Sequence, residues 1–264
     1  MLINLREYHR PHDLQEALQL LHRARPRTVP LAGGSTLIGS DDRRVEAVVD
    51  LQNLGLRYVK MDSGSQGVLR LGAMATLADV SCSEAVRRIY GGIIAEAAHR
   101  CAGSVLRNQA TIGGTVAVAD PADELLVALL ACDAQVTIHV PDAVRLPLSD
   151  FLAQREELLA EHALITEIAV SRPQRRTGAA LQRIARTPAD VPIVCAAVAL
   201  SFTEGTCTAA RLALGGVAVR PLRLPQVEAM LAGQALNERL IEEAAAAVPS
   251  QLAPPSDFKA SGEY

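Results

Sequence analysis

Two glycine pairs, each beside hydroxyl side chains, constrain this chain more than any other feature. The first lies in Leu31-Ala32-Gly33-Gly34-Ser35-Thr36, at the end of a strand-like run over 28–32. The second opens the stretch 111–124, TIGGTVAVADPADE, where Thr111 and Thr115 flank Gly113 and Gly114. Glycine reaches positive φ at little steric cost, and its bare backbone lets a large polar ligand approach the N–H groups. A lone Gly-Gly is more often an ordinary turn. Two such turns with hydroxyls on both predict one phosphate-bearing ligand held between two loops.

Other ligand classes lack support. No G-x-G-x-x-G follows a strand and no G-x-x-x-x-G-K-[ST] occurs, so neither a Rossmann site nor a nucleotide-triphosphate loop is expected. The net charge is −3 and aromatic residues make up 3%, which leaves nucleic acid without a basic face or a stacking platform. Cys82, Cys101, Cys132, Cys195 and Cys207 form no C-x-x-C pair. They read as free thiols of a reducing compartment, with no disulfide framework, zinc site or iron–sulfur cluster within the chain. The charged opening MLINLREYHRPHD is unlike a secretory leader, and no apolar run reaches the roughly 18 residues of a membrane span. A cytoplasmic protein is expected.

The chain divides in three. Leu14, Ala17, Leu18 and Leu21 share a face of a helix over 13–23, opened by the capping pattern Asp13-x-x-Glu16. With strands over 28–32 and 45–51, this makes a small α/β lobe ending near 53. A second lobe, about 54–175, begins with a hairpin of 58–60 and 68–71 around a turn-rich loop over 62–67. Helices over 77–90 and 93–101 follow, split by Gly91-Gly92. A helix from 122 then leads to a strand over 134–140 stopped by Pro141-Asp142, and a last strand spans 164–170. The polar, basic run 171–178 is the best linker, with a boundary at about Arg175. Beyond it, strands over 179–186, 192–202 and 207–215 precede helices over 224–231 and 236–248, an α+β unit of about 176–264.

Asp120, Asp123 and Glu124 open a helix, where carboxylates cap N–H groups and complement the dipole. The same acids next to a phosphate cradle suit ribose hydroxyls, and the residues alone leave both readings open. No His or further carboxylate stands near enough in sequence to suggest a metal. Arg107 either offsets diphosphate charge or is solvated. The six histidines form no H-x-x-x-H and flank no serine-nucleophile signature, so no hydrolytic chemistry is indicated.

Nearly the whole chain resembles the FAD-binding medium subunit of molybdenum hydroxylases, the family of carbon monoxide dehydrogenase and xanthine dehydrogenase. The matching motifs occur in order: Tyr8-His9-Arg10-Pro11, Leu31-Ala32-Gly33-Gly34-Ser35-Thr36, Val48-Val49-Asp50-Leu51, and Leu71-Gly72-Ala73-Met74-Ala75-Thr76-Leu77. Arg107-Asn108-Gln109-Ala110-Thr111-Ile112-Gly113-Gly114, Leu214-Gly215-Gly216-Val217-Ala218 and the closing Ser256-Asp257-Phe258-Lys259-Ala260-Ser261-Gly262-Glu263-Tyr264 complete the set. The resemblance implies an α+β fold: a two-lobed PCMH-type FAD-binding domain over 1–175, then a C-terminal α+β domain over 176–264. It implies that FAD lies between the lobes, its diphosphate on the backbone of Ala32, Gly33, Gly34, Ser35, Thr36 and of Thr111, Ile112, Gly113, Gly114, Thr115. Leu31 and Leu37 would flank the cofactor, Cys101 and Ala102 would line the flavin pocket, and Ile165 would contact the ring. The family's ligand-facing acid falls on Glu124, with Asp123 one residue early.

Three departures stand out. Thr115 replaces the usual Asn. Gln182 stands where a lysine is common, which implies one positive charge fewer near the flavin. The segment 38–46 is shorter than usual and of mixed charge. The resemblance implies an oxidoreductase subunit for electron transfer. A molybdopterin-containing large subunit would oxidise the substrate, and a small subunit with [2Fe–2S] clusters would pass electrons to FAD, then to NAD+, oxygen or a quinone-type acceptor. The departures motivate an alternative, a flavin-free structural subunit; a stand-alone flavin reductase or oxidase is another.

Overall fold

The computed structural model describes residues 2–62, 64, 67–174, 176–187 and 190–264. The expected boundary residue Arg175, and Ser63, Ser65 and Gln66 of the turn-rich loop, lie outside the described residues.

The first lobe contains β1 (Glu7–His9), α1 (Leu14–Leu21), β2 (Thr28–Leu31) and β3 (Ala47–Asp50). Its strands form a parallel sheet in the order β1-β3-β2. All four residues of the central β3 are buried, as expected of a parallel strand covered on both faces. The start of α1 is held reciprocally. Asp13 Oδ1 accepts from the Glu16 N–H at 2.8 Å, and Glu16 Oε2 accepts from the His12 N–H at 2.9 Å. The helix buries Ala17 and Leu21 in a cluster with Val49 and Leu51 that also takes in Met74 and Leu164 of the second lobe. Asp50, fully buried, accepts from Arg10 at 2.8 and 3.0 Å and from the Tyr8 hydroxyl, which fixes the end of β3 against β1.

The second lobe runs β4 (Val59–Met61), β5 (Val68–Gly72), α2 (Leu77–Cys82), α3 (Glu84–Arg87), α4 (Ile93–Arg100), α5 (Ser104–Arg107), α6 (Ile112–Val118), α7 (Glu124–Ala131), β6 (Gln135–Val140), β7 (Asp142–Pro147), α8 (Leu148–Ala160) and β8 (Leu164–Ser171). Its five-stranded sheet is antiparallel in the order β4-β5-β8-β6-β7. The helix expected over 77–90 is broken at Ser83, whose extended backbone caps α3. Of Pro141-Asp142, read as a stop, only Pro141 lies between the strands of the β6–β7 hairpin; Asp142 already pairs with Val140 as the first residue of β7. The edge strand β7 lacks an apolar alternation because its first four residues are exposed.

The C-terminal unit contains β9 (Thr177–Ile184), β10 (Val194–Thr203), β11 (Thr206–Gly215), β12 (Leu222–Arg223), α9 (Pro225–Leu231) and α10 (Glu238–Ala247). The antiparallel order is β12-β11-β10-β9. Glu204 and Gly205, at φ 49° and 85°, make the two-residue β10–β11 turn. Within the stretch expected as a linker over 171–178, Ser171 ends β8 and Thr177 and Gly178 begin β9.

All eight residues of α7 are buried, the signature of a helix covered on every side. The second-lobe core includes Leu125, Leu126 and Leu129 of α7 together with Cys195, Ala197, Ala199 and Ala213 of the C-terminal sheet. The other face of that sheet packs under α9 and α10, where Leu214, Leu224, Val227 and Leu231 form a separate cluster. One helix therefore joins two layers, and its N-terminus points to where all three parts of the chain meet.

Candidate functional site

A cleft of about 450 Å³ opens at that meeting point. The first lobe contributes Pro30 and residues 32–37. The second contributes Arg100, Cys101, Ala102, Thr111, Gly114, Thr115, Asp123 and Glu124, and the C-terminal unit adds Arg183, Asp190, Val191 and Pro192.

The first glycine turn is an open cradle. Gly34 has φ 72°, and a β-carbon on Gly33 would sit 1.8 Å from the Gln109 carbonyl oxygen, so the turn admits no side chain there. Ile38 and Ser40 close the turn by donating their N–H groups to the carbonyls of Gly34 and Thr36, both at 3.0 Å. Among the described residues, none accepts a hydrogen bond from the N–H groups of Gly33, Gly34, Ser35, Thr36 or Leu37. Successive free N–H groups on a concave turn form an anion-binding nest.

The second glycine pair departs from the expected bare turn. Gly113 and Gly114 lie inside α6, and neither has positive φ. Its N–H groups are committed: Ile112 to the Ala75 carbonyl, Gly113 to Ala73 and Thr115 to Thr111, each at 2.9 Å, and Gly114 to Thr111 Oγ1 at 3.1 Å. Gly113 is needed for packing, because a β-carbon would lie 2.7 Å from that of Ala73. Gly114 faces the cleft, where an added β-carbon would meet only Thr111 Oγ1, at 3.1 Å. This wall offers hydroxyls and a flat surface rather than N–H donors.

The acids have distinct local roles. Asp123 Oδ1 caps α7, accepting from Leu125 and Leu126 N–H at 2.8 and 3.1 Å. Enclosure in the cleft wall, helped by the charges of Asp120 and Glu124, pushes its carboxyl up to about 6. Asp120 accepts from Ala122 N–H at 2.8 Å. Glu124 is 4% exposed and bound by Arg183. The Cys101 thiol points at Asp123 Oδ1 across 3.9 Å, and burial pushes its pKa up, so it is not a thiolate nucleophile. Ala102, at φ 57°, is braced by Arg107, which donates to its carbonyl at 2.7 Å. Arg107 itself does not line the cleft.

Some expected residues stand apart from the cleft wall. Leu31 lies just behind the first turn in β2. Ile112 and Gly113 are buried at the start of α6, and Ile165 is a core residue of β8, 5% exposed. Gln182 is exposed on the outer face of β9, whereas Leu181 and Arg183 turn inward. One residue on, Arg183 lines the cleft. Sequence reasoning missed Arg100, Arg183 and the wall 190–192. The period of two along β9, with Leu181 inward, was the available signal for Arg183. No helix among the described residues is long and apolar enough to cross a membrane.

Compared with known proteins, residues 3–173 match the family described as the FAD binding domain in molybdopterin dehydrogenase. Residues 179–264 match the CO dehydrogenase flavoprotein C-terminal domain. The glyceraldehyde dehydrogenase medium chain of Sulfolobus acidocaldarius is 30% identical over 263 residues, 97% of this chain and 92% of that protein. The carbon monoxide dehydrogenase medium chain of Afipia carboxidovorans is 29% identical over 263 residues, 98% and 90% of the two chains. A solved structure of carbon monoxide dehydrogenase from Hydrogenophaga pseudoflava, lacking the Mo-pyranopterin moiety of its molybdenum cofactor, has a similar chain. It superposes with a TM-score of 0.90 at 29% identity, covering 100% and 93% of the two chains.

Proposed function

This chain belongs to the FAD-binding subunits of the molybdopterin dehydrogenases, and we propose that it is the electron-exit subunit of such an assembly. A small partner with [2Fe–2S] clusters would deliver electrons, and a molybdopterin-containing large subunit would oxidise the substrate. The acceptor would be NAD+, oxygen or a quinone-type molecule. The proposal includes a division of the chain near residue 175 and a cytoplasmic location.

The observation that carries this reading is the run of five unpartnered N–H groups from Gly33 to Leu37 on one wall of the cleft. They fit a diphosphate, with the hydroxyls of Thr111 and Thr115 opposite. Asp123 and Glu124, which line the same cleft, would serve hydroxyls of the cofactor's sugar chain, and Cys101, Ala102 and Leu37 would border its ring. Bound FAD supplies the capacity to take up and release electrons singly or in pairs. The chain's own residues bind, orient and shield. Asp123 Oδ1 is committed to two N–H donors, and burial pushes its carboxyl up to about 6. No nucleophile or general base is assigned.

The test is the visible spectrum of the chain purified with its partner subunits and alone. Flavin bands, and FAD released on denaturation, support the reading. A colourless chain that takes up no added FAD in either setting favours a structural subunit.

A further inference from the structure

Two walls of the cleft are tied together by one side chain. Arg183 Nη1 donates to Glu124 Oε1 at 2.8 Å, and its Nη2 donates to the backbone carbonyl of Asp190. Glu124 is the first residue of α7, while Asp190, Val191 and Pro192 form the wall contributed by the C-terminal unit. The pair is well enclosed, the side chains being 14% and 4% exposed.

Glu124 is only half satisfied. Its Oε2 is buried and accepts no hydrogen bond among the described residues. Its charge partner is Arg100, whose Nη1 is ion-paired with Oε2 at 3.5 Å, beyond hydrogen-bond geometry, while Nη2 of the same guanidinium donates to Glu96. A buried carboxylate oxygen without a donor is costly, and a buried ion pair is a poor source of stability compared with apolar packing. Charges kept here despite that cost fix geometry at the point where the third wall meets the other two.

We propose that Arg183 is a positioning residue for the cofactor, acting through Glu124 and Asp190 to hold the wall 190–192 against the start of α7. The proposal rests on the reading that the cleft binds FAD. Arg183 suits the task because its planar fork serves two acceptors at once, which a lysine ammonium cannot do with the same geometry. Affinity for FAD should therefore depend on the bridge as a unit.

The experiment compares the unmodified chain with Arg183→Gln, Arg183→Lys, Glu124→Gln and the double Gln variant. FAD affinity is read from quenching of flavin fluorescence, and folding from the thermal midpoint of the FAD-free proteins. Arg183→Gln and Glu124→Gln should each weaken FAD binding by about tenfold or more, equivalent to roughly 1.4 kcal/mol. Arg183→Lys should recover part of the loss. The double variant should be no weaker than the worse single, the mark of two residues in one bridge.

A merely structural role would lower the FAD-free midpoint while leaving affinity within twofold, and that result overturns the proposal. Losses that multiply in the double variant also overturn it. If Arg183→Gln does not fold, Arg183→Lys and Glu124→Gln decide: both within twofold of the unmodified chain is a refutation. An unmodified chain that binds no FAD removes the reading beneath the bridge, and the bridge falls with it.

Discussion

Gly33 and Gln109 are in backbone contact across the two lobes: a β-carbon on Gly33 would lie 1.8 Å from the Gln109 carbonyl oxygen. That contact sets the first glycine turn against the segment entering α6. Gly33→Ala should push the lobes apart at the cleft. Overpacking of this kind costs about 1–3 kcal/mol. Thermal unfolding should show a lower midpoint, and FAD affinity should fall with it. Unchanged affinity would mean that the spacing of the two turns does not matter for the ligand.

The glycines of the second pair should separate cleanly. Gly113→Ala meets Ala73 and should destabilise the fold. At Gly114 an added β-carbon would meet only Thr111 Oγ1, and in Gly114→Val the side chain projects toward the cleft. This variant should leave the midpoint within a few degrees and abolish flavin retention. The check is a midpoint and an FAD titration on each variant. Stoichiometric flavin in Gly114→Val would remove that wall from the site.

Asp123 gives a pH signature of definite sign. Its carboxyl lies near 6 in the fold, against an ordinary value of about 4. The folded state therefore favours the protonated form. That contribution is fully present below about pH 4 and is lost as pH rises through about 6. Asparagine caps a helix as well as aspartate but does not titrate. The stability of Asp123→Asn relative to the unmodified chain should rise between pH 4 and 7 and then level off, as urea unfolding would show. A difference flat across that range contradicts the assignment.

Leu129 of α7 is fully buried in a core drawn from the second lobe and the C-terminal sheet. Leu129→Ala should cost about 2–5 kcal/mol. Because the helix packs on both α4 and β10, amide exchange should rise in α4 and β10 together. A rise confined to α4 would show that the C-terminal unit is stable without α7.

Much of this was legible in the sequence, for identifiable reasons. The apolar face of α1, the long strands β10 and β11 and the glycines of the first turn carry local patterns that tertiary structure leaves intact. Exposed β7 lacks the apolar alternation that marks a half-buried strand, and two-residue β12 is too short to show one. The second glycine pair misled because Gly113 is small for the sake of Ala73, a neighbour brought close only by folding. Arg183 and the wall 190–192 were hidden for the same reason: they reach the cleft from a separate sheet, through a helix shared by two layers.

The central claim is that the first turn is a diphosphate cradle, and the most direct measurement is a comparison of affinities for FAD, FMN and riboflavin on the isolated chain. The cradle predicts FAD as the tightest ligand and riboflavin, which has no phosphate, at least about a hundredfold weaker, equivalent to some 2.7 kcal/mol. Equal affinity for FAD and riboflavin would contradict it, because the ring alone would then account for binding and the free N–H groups from Gly33 to Leu37 would have no part in it.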